Sequence, residues 1–183
     1  MNVTDMSNMF YNCSSLKEIN LSNFNFNKVA DMKYMFYKRN LLIKLNFPNS
    51  NTNNLKNMRY MFYGCSSLEK LILSNFNTKN VVDMSYMFSE WSSIKELNLS
   101  SFNTEKVNFM NNMFEGCYSL KNLNLANFIN LEMVHLMGIF DECRSLSKLN
   151  YPNLKIEDTD ILDLIFYDCP SKIKNMFKAK NNS

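Results

Sequence analysis

Five cysteines, Cys13, Cys65, Cys117, Cys143 and Cys169, are the residues whose type best suits them to do chemistry. A thiolate can attack an electrophile, pair into a disulfide or hold a soft metal ion. Their spacing argues against a ligand set, because the separations are whole multiples of 26 residues and match no zinc pattern such as Cys-x-x-Cys. Arg39 and Trp91 take the same position in other copies, which no disulfide or metal framework would need. A disulfide ladder or metal site therefore yields to a plainer reading: a small apolar filler, with five free thiols. The arginine suggests a column that is not uniformly sealed, since an unpaired arginine is almost never fully buried.

His135 is the only histidine, and no second group stands where it could orient the ring, so a solvated surface residue is expected. There is no glycine-rich phosphate loop, nucleophile elbow or paired-carboxylate signature. No catalytic, cofactor-binding or metal-binding residue is expected, and no enzyme.

The elements that must position any site follow from a strict period. Phe10, Phe36, Phe62, Phe88, Phe114, Phe140 and Phe166 fall 26 residues apart without insertion or deletion. Met6, Met32, Met58, Met84 and Met110 keep the register, with Leu136 and Leu162 completing their column. Leu16, Leu42, Leu68, Ile94, Leu120 and Leu146 form another, and Ile19, Leu45, Leu71, Leu97, Leu123 and Leu149 a third. The chain divides into seven units at about 3–28, 29–54, 55–80, 81–106, 107–132, 133–158 and 159–183.

Each unit carries two periodicities. Val81, Met84, Met87 and Phe88 share one face of a short helix. Asp5, Asp31, Asn57 and Asp83 precede it as caps, and Asn12, Gly64 and Gly116 follow where a left-handed turn would stop it. Leu97-Asn98-Leu99 then alternates as a short strand, with Pro48 and Pro152 marking strand ends in other copies. One unit cannot bury its apolar face alone, so neighbours must stack. The expected fold is an α/β solenoid, a horseshoe or shallow arc, with a parallel β-sheet on one face and short helices on the other. Strands are expected to centre on Asn20, Asn46, Ile72, Asn98, Asn124 and Asn150.

Composition permits this and excludes other classes. The chain is 46% hydrophobic with only three glycines and three prolines, so asparagine and serine must make most turns. Net charge is +3 with acids and bases interspersed, which gives no nucleic-acid footprint. No run of 18 apolar residues could span a membrane.

The units VVDMSYMFSEWSSIKELNLSSFNTEK and LKNMRYMFYGCSSLEKLILSNFNTKN carry the signature D-M-x-x-M-F-x-x-C-x-S-L-x-x-L-x-L-S-x-F-N-T. This resembles the 26-residue repeat of the BspA-like leucine-rich repeats of bacterial surface proteins, over essentially the whole chain. The resemblance implies a leucine-rich-repeat solenoid, surface display, adhesion, and binding of host or matrix proteins. The opening MNVTDMSNMF is not a signal peptide, so a cytosolic protein and a piece of a longer chain or array both stay open.

The remaining candidates are for binding. Asn23, Asn49, Asn75, Asn127 and Asn153 follow the strand and are expected to bond the backbone of the next rung. Glu18, Asn20, Lys44, Asn46, Lys70, Ile72, Glu96, Asn98, Asn122 and Asn124 are expected to point outward from the sheet. Ile72 stands out as an apolar residue in a column of asparagines. The expected partner is a protein or glycan meeting this face, and the alternative is a spacer array projecting another domain. The tail KIKNMFKAKNNS replaces the leucines of a seventh unit with lysine and asparagine, and is read as a degenerate cap with a frayed end.

Overall fold

The structure is a computed structural model that describes residues 3–13, 15–48, 51–129, 133–156 and 159–180. The seven units stack as rungs of one solenoid. Its spine is a file of phenylalanine rings: Phe10, Phe36, Phe62, Phe88, Phe114, Phe140 and Phe166 stack in sequence at 5.0–5.8 Å between centroids. From Phe36 onward these rings are fully buried, as are the methionines Met32, Met58, Met84 and Met110 beside them. Such cores are dispersion-dominated, and every rung depends on the next to exclude water.

One side of the stack is a parallel sheet of three-residue strands: β1 (Glu18–Asn20), β2 (Lys44–Asn46), β3 (Glu96–Asn98), β4 (Asn122–Asn124) and β5 (Lys148–Asn150). The register follows the 26-residue period, pairing Glu18 with Lys44, Ile19 with Leu45 and Asn20 with Asn46. In each strand the middle residue is buried and its neighbours face outward, so the strands centre on Ile19, Leu45, Leu97, Leu123 and Leu149, one residue before the expected asparagines.

The strand expected around Ile72 does not form. The sheet splits into β1-β2 and β3-β4-β5, with the third rung unpaired between them. Two substitutions meet at this seam. Where Asn20, Asn98 and Asn124 accept the N–H two residues on at 3.0–3.2 Å, Ile72 has no acceptor, and after Asn46 the residue two positions on is Pro48, which has no N–H to give. In the same region Phe47 replaces leucine and wedges edge-on against Phe36, Phe62 and Phe76. The opposite side of the solenoid stays continuous across the seam.

That opposite side corrects the expected helices in the first five rungs. Successive N–H groups alternate in purpose. Asn8, Phe10 and Asn12 donate to the carbonyls of Lys33, Met35 and Tyr37 on the next rung at 3.0–3.1 Å, while Met9 and Tyr11 close tight turns on Met6 and Asn8. Two residues per rung are left-handed, four apart, as at Asn8 and Asn12, Tyr34 and Lys38, Tyr60 and Gly64. A helix cannot contain them, so the segment is a stack of turns tied rung to rung. The expected caps do bond as acceptors, but as turn starters: Asp5, Asp31, Asn57 and Asp83 each accept the N–H two residues on at 2.7–3.0 Å.

Among the described residues, helix appears only toward the C-terminus. A 3₁₀ turn spans Met133–Leu136, another spans Thr159–Ile161, and α1 (Leu162–Ile165) follows. Then α2 (Ser171–Lys180) lies across the end of the stack, burying Ile173 and Phe177 and stacking Phe177 on Phe166 at 5.3 Å. The expected terminal cap is therefore a helix; residues 181–183 lie outside the described residues.

Candidate binding face

All ten outward candidates lie on the sheet side, and Ile72 is 63% exposed. The structure sorts them into two groups about the seam. Glu18, Asn20, Lys44 and Asn46 belong to β1 and β2, where Lys44 and Glu18 pair loosely at 3.9 Å across exposed side chains, an interaction of little stabilising value. Glu96, Asn98, Asn122 and Asn124 belong to β3 and β4 and are linked laterally: Asn122 Nδ2 donates to Glu96 Oε1 at 2.7 Å, and Asn150 Nδ2 to Asn124 Oδ1 at 2.9 Å. Lys70 and Ile72 stand on the unpaired rung.

A cavity of about 890 Å³ covers the second group. The backbone of Leu97, Leu123 and Leu149, whose side chains turn into the core, lies beneath it between the outward Asn98, Asn122, Asn124 and Asn150, and Lys172 and Met176 of α2 wall one end. Sequence reasoning treated the tail as a cap alone, because nothing in its pattern shows that the helix also borders the sheet face. Lys70, Lys95, Lys148 and Lys172 rim the cavity with no ion pair among the described residues, against Glu69 and Glu96. A smaller cavity of about 540 Å³ opens at the seam, lined by Ile43, Phe47, Ile72 and Phe76. Ile43, 57% exposed, joins Ile72 in an apolar pair that sequence reasoning missed.

The cysteine column is structural. Cys65, Cys117 and Cys143 are buried and unbridged, and each thiol donates to the carbonyl of a phenylalanine on the preceding rung, at 3.2–3.3 Å. Burial pushes the Cys65 thiol up to about 12, far from a reactive thiolate at neutral pH. The expectation of an unsealed column is overturned at Arg39, which is only 1% exposed. Its aliphatic stem and planar head reach past the cysteine position, and Nη2 donates to the Leu16 carbonyl of the preceding rung at 3.2 Å, while Nε and Nη1 find no partner. Trp91 uses the same route, its indole N–H donating to the Leu68 carbonyl.

His135 lies in a 3₁₀ turn, half-buried, with its ring edge-on to Phe109 at 5.8 Å. Among the described residues no group of three or more His, Cys, Asp or Glu side chains is placed to hold a metal ion, and no helix is long and apolar enough to cross a membrane. Two of the asparagines after the strand bond backwards rather than forwards: Asn127 donates to Ser100 and Asn153 to Phe128, each on the preceding rung, while Asn23 and Asn75 make no such bond among the described residues. Asn49 lies outside the described residues.

Two features escaped the sequence reading. Thr52, Thr78 and Thr104 are buried, and each hydroxyl both donates to the carbonyl and accepts the N–H of one residue on the next rung, as Thr78 does with Asn103 at 2.9 and 2.8 Å. The threonine of the F-N-T signature was the available signal at Thr78 and Thr104, and the Asn51-Thr52 pair of the degenerate triplet at Thr52. On the turn side, Tyr11, Tyr37 and Tyr63 stack in one file and Tyr34, Tyr60 and Tyr86 in a second, at 4.5–4.9 Å. Their faces cover one another, so this ridge presents edges and hydroxyls.

The comparisons agree with this architecture. A crystal structure of a leucine-rich repeat protein from T. pallidum is similar over 99% of this chain and 78% of that chain, with a TM-score of 0.60 at 18% identity. The likeness places the fold among leucine-rich-repeat α/β solenoids. No curated protein matches the chain. A family model described as "Mycoplasma protein of unknown function, DUF285" matches residues 1–69 and 38–152. Spanning most of the rungs, that match shows that the chain belongs to this family.

Proposed function

We propose that this chain is a non-enzymatic protein-binding module that holds an extended, acidic and partly apolar polypeptide segment along β3, β4 and β5. The observation that carries it is the cavity of about 890 Å³ on the most regular part of the sheet, with the half-exposed Met176 at one end and a rim of lysines that make no ion pair among the described residues. A rigid floor lowers the entropy cost of binding, and an extended partner would set carboxylates toward the lysines and an apolar side chain against Met176. Surface display and adhesion of the BspA type extend the same reading, with an extracellular protein as the natural partner. The solenoid fold supports an interaction role in general, since it offers a long, preformed surface.

The test uses three defined probes: an alternating Glu-Leu decapeptide, its Lys-Leu counterpart and a neutral hexasaccharide. The Glu-Leu peptide should bind best and weaken with added salt. A Lys70→Glu/Lys95→Glu/Lys148→Glu variant should lose at least about tenfold in affinity, or roughly 1.4 kcal/mol. Equal binding of both peptides, or preference for the saccharide, would refute the assignment of partner chemistry. Unchanged affinity in the variant would move the site off this face.

A further inference from the structure

Six of the nine tyrosines gather on the turn side of the first four rungs. Tyr11, Tyr37 and Tyr63 form one file, with centroids 4.9 Å apart and ring planes 2° and 13° from parallel. Tyr34, Tyr60 and Tyr86 form the other, at 4.9 and 4.5 Å and 8° and 5° from parallel. Edge-on contacts of 5.4 Å join the files within a rung, at Tyr34 with Tyr37 and at Tyr60 with Tyr63. Tyr11 is exposed and the other five are half-buried, so their edges meet solvent.

Two further observations set this array apart from ordinary packing. Tyr34, Tyr60 and Tyr86 are left-handed, with φ of 57°, 55° and 56°. Asn8, Asn112 and Gly138 hold the same position in other rungs and adopt that conformation readily, whereas a tyrosine takes it at a cost. The files also run past the seam. Tyr34 with Tyr60 and Tyr37 with Tyr63 join rungs two and three, and Tyr60 with Tyr86 joins rungs three and four. These are the two junctions at which the sheet side forms no strand pairing.

We propose that the tyrosine array is an oxidative cross-linking site, at which hydrogen peroxide acting through a haem peroxidase couples same-file neighbours as dityrosine and ties the rungs covalently across the seam. Each of two phenols gives one electron to the peroxidase and its hydroxyl proton to water, leaving a pair of phenoxyl radicals. A bond forms between an ortho carbon of one ring and an ortho carbon of the next. Each coupled carbon then sheds its hydrogen as a proton and each oxygen takes one up, which restores both aromatic rings. The pair has lost two electrons and two protons, and the peroxide that accepts them becomes two waters. Near-parallel rings one rung apart hold each ortho carbon opposite its counterpart, so the partners need no search through solution.

The experiment treats the full chain, kept dilute, with a haem peroxidase and hydrogen peroxide. The monomer is isolated on a denaturing gel, and links are located by mass spectrometry as peptide pairs joined with loss of two hydrogen atoms. It should carry dityrosine fluorescence, with links between neighbours of one file. Tyr60→Phe keeps a stacked ring but removes the phenol through which the second file couples, so links from Tyr34 and Tyr86 within that file should vanish while those of the first file persist. Tyr37→Phe should do the reverse, which keeps the test open if one variant fails to fold. The same reaction in urea should lower same-file linkage at least about tenfold, because the stack no longer holds the rings together. The proposal is overturned if the native monomer carries no same-file link, or if links fall chiefly on Tyr118, Tyr151 or Tyr167 or between chains. An unfolded chain that gives the same links in the same yield would overturn it as well.

Discussion

Arg39 offers a substitution whose effect runs against the usual direction. Its guanidinium is buried to 1% exposure, yet only Nη2 has a partner, the Leu16 carbonyl; Nε and Nη1 have none. Desolvating a charge without full compensation costs several kcal/mol, and replacing buried charged groups with apolar ones of similar volume often stabilises by about 1–4 kcal/mol. Methionine follows the arginine stem and adapts its shape. Losing the bond to Leu16 gives back only ~1 kcal/mol, because Leu16 is exposed and water can reach its carbonyl. Arg39→Met should thus gain about 2 kcal/mol, which for a chain of this size raises Tm by roughly 4–8 °C. Arg39→Ala is the control, since it removes the same charge but leaves a cavity and should lose most of that gain. Calorimetry and urea denaturation would measure both, with an unchanged slope showing that the transition itself is the same. If Arg39→Met lowers Tm as much as Arg39→Ala does, the guanidinium is better satisfied than the geometry says, and the reasoning fails.

Three further outcomes follow from other columns. Thr78→Val should cost about 2 kcal/mol by removing both hydrogen bonds that the buried hydroxyl makes with Asn103, whereas Thr78→Ser should cost about 1 kcal/mol for the lost methyl; equal losses in thermal denaturation would deny the hydroxyl its role. Ile72→Asn restores an acceptor for the Ser74 N–H and should extend strand pairing through the seam, gaining ~1 kcal/mol; amide exchange at residues 71–73 that is no slower than in the parent would contradict this. Burial raises the carboxyl pKa values of Glu115 and Asp141, so the folded state holds these protons more tightly than the unfolded one, and stability rises as pH falls through the raised values. A Glu115→Gln/Asp141→Asn variant should therefore melt above the parent at neutral pH, with the difference shrinking below about pH 4, near the unperturbed carboxyl values; a difference that grew on acidification would reverse the sign.

Much of this architecture was legible in the residues, because a period without insertions leaves few alternatives. The apolar columns, the parallel stacking and the outward set from Glu18 to Asn124 all follow from one register, since a strand residue between two buried neighbours has to face away from the core. The turn side was legible only as to which residues it buries. Met84, Met87 and Phe88 turn inward whether the segment is a helix or a turn ladder, so hydrophobic spacing could not separate the two. The difference lies in where each N–H goes, and the carbonyls that receive them are a full rung away, at Lys33, Met35 and Tyr37. The seam at Ile72, the burial of Arg39 and the wall that α2 raises beside β5 have the same origin. Each depends on what the adjoining rung places opposite a residue, a relation that a one-dimensional pattern carries only as a repeat and that packing alone resolves.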